Sequence, residues 1–244
     1  MVKYTCLNSS EFRPPNLSAL SNWRSTCWAF EHLFKGSFFV LMLICYDKRA
    51  LEHFFWGIIK VEFSTSESWN PEVWGKVKKI YQQAFANKGG KPEKVIRHMF
   101  LKGLCSLHLV FIGGQAVGFA LTGALKGSRC LIIDYLAVDQ AFRNHGIGWN
   151  MVCYLMNWAS DMGRFDSIII EVEAEYSVEN NRRRQFWQQC GFSLTEYIHH
   201  YIWVSEPYQA MYRHLEPNSA VREEGKELFR YISQFHKESY KGMK

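Results

Sequence analysis

Six residues, Arg143 to Gly148 (RNHGIG), join an apolar run, LIIDYLAV, to a stretch with helical spacing, WNMVCYLMNWA. Strand, glycine-bearing loop and helix in that order make an α/β unit, and they also make a place for an anion. The first turn of a helix carries backbone N–H groups without intrahelical partners, and the macrodipole adds partial positive charge there. Glycines let the backbone approach a ligand closely, because no Cβ intervenes. Arg143 and His145 would add charge at the rim. Taken alone, the two glycines serve a tight strand-to-helix turn equally well.

The chain is regular from Ile58 onward. IIKVEFS alternates apolar and polar positions with β-branched residues and is expected as a strand. Asn70-Pro71 opens a helix, since proline is tolerated in a first turn, and Val73, Val77, Ile80, Tyr81 and Phe85 repeat at helical spacing. The loop KGGKP ends it and starts a second helix through Val95, Ile96, Met99 and Phe100. SLHLVFI and AVGFALTG flank Gly113-Gly114-Gln115, a hairpin signature, because tight turns need residues that accept positive φ. CLIIDYLAV is the next strand, and the helix after the loop runs from about Trp149 to Met162. SIIIEVEA is a further strand, Asn180 to Cys190 a short helix ended by Gly191, and FSLTEYIHHYIWV more strand, with a pairing partner around Ala210 to Leu215. Leu228, Tyr231, Ile232 and Phe235 mark an amphipathic tail helix, packed on the body or on a second copy in a homodimer. Three regions are therefore expected: an extension at 1–57 in which no regular topology is legible, a regular domain at 58–215, and a helical tail at 216–244.

Composition narrows the classes. A hydrophobic fraction of 48% and an aromatic fraction of 16% supply a sizeable core and argue against wholesale disorder. Seven cysteines, at 6, 27, 45, 105, 130, 153 and 190, form no CxxC pair and are odd in number. That pattern points away from a disulfide framework and a metal site, and toward a reducing, cytoplasmic compartment. The apolar run Phe38 to Cys45 is eight residues long, far short of the roughly 20 that span a bilayer. It is expected as a buried strand or helix segment, and no membrane anchor is expected. The net charge of +6 is compatible with nucleic acid or a phosphorylated cofactor. No nucleic-acid motif accompanies it, so nucleic acid is not the expected partner.

Two motifs carry a resemblance. LAVDQAFRNHGIGWNMVCYLMNWA resembles the pyrophosphate-binding motif of the GNAT superfamily of N-acetyltransferases, (R/Q)-x-x-G-x-(G/A) after a strand ending in a small apolar triplet, with Arg143, Gly146 and Gly148 on the fixed positions. NNRRRQFWQQCGF resembles the family's later motif, through Asn180, Trp187, Gly191 and Phe192. The order of elements over about 58–215 is similar too. The resemblance implies an α/β fold with a mixed, mostly antiparallel central sheet flanked by helices. In it the strands carrying LAV and SIIIEVEA splay apart at the donor site. It implies acetyl-CoA as co-substrate and no metal. Leu136, Ala137 and Val138 would offer backbone groups to the pantetheine arm. Arg143, Asn144, His145, Gly146, Ile147 and Gly148 would hold the pyrophosphate, with Asn180 facing the pantetheine from the far side. Where many family members place a tyrosine acid this chain has Trp187, whose indole has no useful titratable proton and is expected to pack on the cofactor.

Acetyl transfer to an amine needs a group that takes a proton from the ammonium. Alternation along SIIIEVEAE puts Glu171, Glu173 and Glu175 on one face. Asp134 is a further carboxylate in an apolar run, where charge is uncommon without a role. Glu173, then Asp134 and Glu171, are the candidate bases, Tyr201 is a candidate acid, and Tyr135 is a hydrogen-bonding neighbour or core. Pairing of these carboxylates with Arg182 to Arg184 is the structural alternative. The expected function is transfer of an acetyl group from acetyl-CoA, by direct attack, to a primary amine that is a small cationic molecule. The alternatives are acetylation of a protein amine and a GNAT-fold protein that binds acyl-CoA without catalysis.

Overall fold

The computed structural model describes residues 60–86, 89–202 and 204–243. The expected extension at 1–57, with its apolar run Phe38 to Cys45, lies outside the described residues, as does the start of the first expected strand.

Strand β1 (Val61–Ser66) leads to α1 (Pro71–Phe85). Asn70 Oδ1 accepts the N–H groups of Glu72 at 2.9 Å and Val73 at 3.2 Å, so the polar residue before Pro71 caps the helix. Trp74, Val77, Ile80 and Tyr81 form its buried stripe. Helix α2 (Glu93–Leu101) precedes the hairpin of β2 (Cys105–Ile112) and β3 (Gln115–Gly123), which turns at Gly113–Gly114. Then come β4 (Cys130–Val138), a 3-10 turn (Gln140–Phe142) and α3 (Ile147–Asp161). The helix starts at Ile147 rather than near Trp149, so Gly148 lies in its first turn. Strand β5 (Ser167–Glu173) ends before Glu175. Helix α4 (Val178–Gln189) begins ahead of Asn180, because the Ser177 hydroxyl accepts the Asn180 N–H and caps it. Strands β6 (Ser193–His200) and β7 (Pro207–His214) and helix α5 (Gly225–Tyr240) complete the order. Among the described residues no helix is long and apolar enough to cross a membrane.

Among the described residues seven strands form one sheet in the order β1-β2-β3-β4-β5-β7-β6. Only β4 and β5 pair in parallel, and every other neighbour is antiparallel. One apolar cluster joins Ile132 and Ile169 of the sheet to Val77, Ile96, Leu228, Ile232 and Phe235, so α1, α2 and α5 cover one face. The alternating residue His108 meets Tyr154 and Trp158, so α3 covers the other. Helix α5 is seated closely: a Cβ on Gly123 would run into the Phe235 ring. That close approach needs glycine in β3.

The parallel ladder between β4 and β5 is short. It pairs Cys130 with Ser167, Leu131 with Ile168 and Ile132 with Ile169, and then stops, although β4 continues to Val138 and β5 to Glu173. A bulge explains the parting. Leu121 of β3 faces Tyr135 and Thr122 faces Ile133, which leaves Asp134 unmatched. An extra residue bends its strand and increases the local twist, here just past the last β4–β5 pair. Beyond it the edge of β4 that faces β5 pairs with no described strand.

Candidate functional site

The loop after β4 is tightly organised. Asp139 Oδ1 accepts the Ala141 N–H at 3.0 Å and starts the 3-10 turn. The Arg143 guanidinium folds back and donates from Nε to the Val138 carbonyl at 3.0 Å. Asn144 and Gly146 have φ of 65° and 75°, the left-handed region that favours glycine at the second position. Nothing lies within 4 Å of the place a Gly146 Cβ would occupy. Helix α3 begins there with no side-chain cap, unlike α1 and α4. Its first-turn amides and dipole therefore face a clear approach, suited to an anion. His145 and Ile147 flank this turn, Ile147 as a buried anchor. The structure thus brings the residues Arg143 to Gly148 together with the end of β4 at Leu136, Ala137 and Val138, where Arg143 occupies the Val138 carbonyl.

Asn180 and Trp187 lie on α4. The Asn180 amide donates to the Glu175 carbonyl at 3.0 Å, and its Oδ1 accepts from Arg183 at 2.7 Å. Asn180 thereby fixes the turn at the end of β5. Trp187 packs against Phe186 and Phe192, with ring centroids 5.1 Å away in both cases. Phe186 is the contact between α4 and the start of α3, meeting the Cβ direction of Gly148 at 3.4 Å.

The carboxylates separate by partner. Glu173, 27% exposed, takes Arg183 Nη1 at 2.9 Å. Asp134, 3% exposed, takes Lys91 Nζ on both oxygens, at 2.7 and 2.8 Å. Lys91 is held by its own backbone, whose N–H donates to the Tyr135 hydroxyl at 2.9 Å, while its carbonyl accepts from Tyr81 at 2.7 Å. Tyr135 is thus both a hydrogen-bonding neighbour and a core ring, edge-on to Phe85 at 4.7 Å. Glu171 is different in kind. Its Oε2 accepts from the Tyr201 hydroxyl at 2.7 Å and its Oε1 lies 3.0 Å from His236 Nε2. His236 Nδ1 in turn lies 3.2 Å from Lys91 Nζ.

Burial disfavours the charged form of Glu171, but the His236 and Tyr201 hydrogen bonds and the Lys91 charge outweigh it. Its carboxyl lies below the usual range. Burial and the Glu171 charge push the Tyr201 hydroxyl far up, so it stays a neutral donor. The same two causes take Tyr208, across from Glu173 in the ladder, up to about 12.

Sequence reasoning did not single out Lys91 or His236 as site residues. Lys91 sits in the KGGKP loop between α1 and α2. His236 follows Ile232 by one helical turn, so it lies on the buried stripe of α5; a lone histidine in that phase is the signal that was there. A cavity of about 560 Å³ beneath Ser106, Thr122, Leu131 and Trp158 is lined by none of the expected site residues.

Residues 74–192 match the model of the acetyltransferase (GNAT) family. Over 99 residues, 38% of this chain, the sequence is 31% identical to the Drosophila melanogaster protein "Probable N-acetyltransferase san", and it spans 52% of that protein's length. Among solved structures the chain is similar to the ribosomal-protein-S18-alanine N-acetyltransferase of Escherichia coli, at 16% identity and a TM-score of 0.50, over 66% of this chain and 98% of that one. It is also similar to an aminoglycoside 6'-N-acetyltransferase complexed with coenzyme A, at 15% identity and a TM-score of 0.52, over 64% and 98% of the two chains. At such identities these structures speak for the fold.

Proposed function

We propose that this chain, whose residues 74–192 match the model of the acetyltransferase (GNAT) family, moves an acetyl group from acetyl-CoA to a primary amine, by direct attack. Acetyl-CoA, when bound, supplies the thioester acyl donor. The uncapped first turn of α3 and the backbone of Asn144 to Gly148 hold its pyrophosphate. The end of β4 at Leu136, Ala137 and Val138 takes the pantetheine arm in the gap between β4 and β5. The open space at Gly146 and the missing cap on α3 support this fit. Asn180, with Arg183, keeps the far wall of that gap in place, and Trp187 packs α4 behind it.

The acceptor is read from charge. Lys91 answers Asp134 and Arg183 answers Glu173, whereas Glu171 has no lysine or arginine of its own among the described residues. That single observation supports a small cationic amine as acceptor. Glu171 attracts the ammonium; once the amine has given one proton to solvent, its lone pair attacks the thioester carbonyl, the CoA thiolate leaves, and Glu171 takes the second proton, which acylation has made acidic. Tyr201 keeps its proton and holds Oε2 of Glu171, while Asp134 and Glu173 fix Lys91 and Arg183 around it. Unbridged thiols at Cys105, Cys130 and Cys190 support a reducing, cytoplasmic setting.

The test mixes the protein with acetyl-CoA, a panel of amines and a thiol-detecting reagent. Amine-dependent thiol release is the expected result. Saturable CoA binding with no release for any amine would instead favour a binding protein of this fold.

A further inference from the structure

Helix α5 lies outside the family-matched segment, yet it reaches the centre of the site. Leu228, Ile232 and Phe235 are fully buried, and Phe235 closes on Gly123, so the face that carries His236 is fixed against the sheet. One turn earlier on that face, Ser233 lies near the Tyr201 hydroxyl.

We propose that His236 is the positioning residue that clamps the Glu171 carboxylate, with Lys91 selecting the imidazole tautomer that lets it do so. This rests on the reading of Glu171 as the carboxylate that meets the acceptor. A lysine ammonium has three N–H groups and no acceptor. Those of Lys91 have three partners: the two oxygens of Asp134 and Nδ1 of His236 at 3.2 Å. Because the ammonium only donates, Nδ1 accepts, and the imidazole carries its proton on Nε2. From there it donates to Glu171 Oε1 at 3.0 Å, while Tyr201 donates to Oε2 at 2.7 Å. Each carboxylate oxygen then has one donor and keeps a lone pair for an ammonium.

The arrangement is a clamp and not a proton wire. A donor already occupies Nδ1, so a proton taken by Glu171 has no onward path through the imidazole and leaves on the solvent side. The charged or titratable groups around Glu171 are Lys91, Asp134, His199, Tyr201, Tyr208 and His236, drawn from the α1–α2 loop, β4, β6 and the turn after it, β7 and α5. Of these, only His236 and Tyr201 touch the carboxylate.

Nitrogen-15 NMR of the wild-type chain reads the tautomer directly, with His236→Gln identifying the signal. The expected result is a protonated Nε2 and a bare Nδ1. Carbon-13 NMR then follows the Glu171 carboxyl in the wild type, His236→Leu and His236→Gln. Loss of the donor in His236→Leu is expected to move its titration up by about one pH unit. His236→Gln, whose amide N–H stands near the Nε2 position, restores most of it, and the acid limb of kcat/KM follows. A proton on Nδ1, or a Glu171 titration unmoved by His236→Leu, would overturn the clamp. Absence of any amine-dependent thiol release would sink the acceptor reading alone, since both NMR measurements still decide the clamp. If His236→Leu does not fold, the wild-type tautomer decides it.

Discussion

Lys91 Nζ contacts both carboxylate oxygens of Asp134, at 2.7 and 2.8 Å, with the two side chains 4% and 3% exposed. A loop lysine and a bulged strand residue thus share one buried ion pair at the point where β4 leaves β5. Removing one partner of such a pair strands the other charge, which costs about 3–5 kcal/mol. Asp134→Asn is therefore expected to destabilise the fold by that amount in denaturant melts. Replacing both, Lys91→Met with Asp134→Leu, is expected to recover most of the loss, because paired burial of charge is seldom better than apolar packing. Equal loss in the single and double variants would mean that the pair itself is not what the site depends on.

Gly146 combines positive φ with open space at its Cβ position. A β-branched residue there costs roughly 1–2 kcal/mol of backbone strain and fills the space before the α3 amides. Gly146→Val is expected to weaken CoA binding at least tenfold by calorimetry while the thermal melt shows a folded protein. Unchanged affinity would place the anion elsewhere.

Much of this architecture was legible locally. Asn70-Pro71, Gly113-Gly114 and the RNHGIG loop each act within a few residues, so cap, hairpin and strand–loop–helix unit follow from sequence. Alternation also put Glu171 and Glu173 on one face of β5. It could not say which one has Arg183 beside it, because that contact depends on how α4 returns along the strand. The bulge at Asp134 was hidden, since a bulge is a mismatch between two strands and neither shows it alone. Lys91 and His236 were missed for a similar reason: they meet Glu171 and Asp134 only through packing between segments far apart in the chain. Trp187 packs on Phe186 and Phe192, contacts that depend on how the end of α4 meets the turn after it and that composition does not show.

His108 gives a pH dependence that owes nothing to the site. It is fully buried between Thr65 Oγ1 at 2.7 Å and Thr122 Oγ1 at 2.8 Å, and burial lowers its pKa from 6.5 to about 3. The unfolded chain takes up this proton near pH 6.5, whereas the folded chain resists it. Stability from this group is whole above pH 6.5 and declines as the pH falls toward 3, by up to about 1.4 kcal/mol per pH unit. Urea melts between pH 7 and pH 5 are expected to show this slope, and His108→Gln to flatten it. A slope unchanged in His108→Gln would assign it to other groups.

In the proposed function Glu171 meets the amine, in a site that holds acetyl-CoA independently of it. The most direct measurement follows amine-dependent thiol release by the wild type and Glu171→Gln side by side, with CoA affinity measured on both. The expected result is release by the wild type and a fall of about 10²–10⁴-fold in Glu171→Gln, the usual worth of a positioned base, at unchanged CoA affinity. Release by Glu171→Gln at the wild-type rate would contradict it.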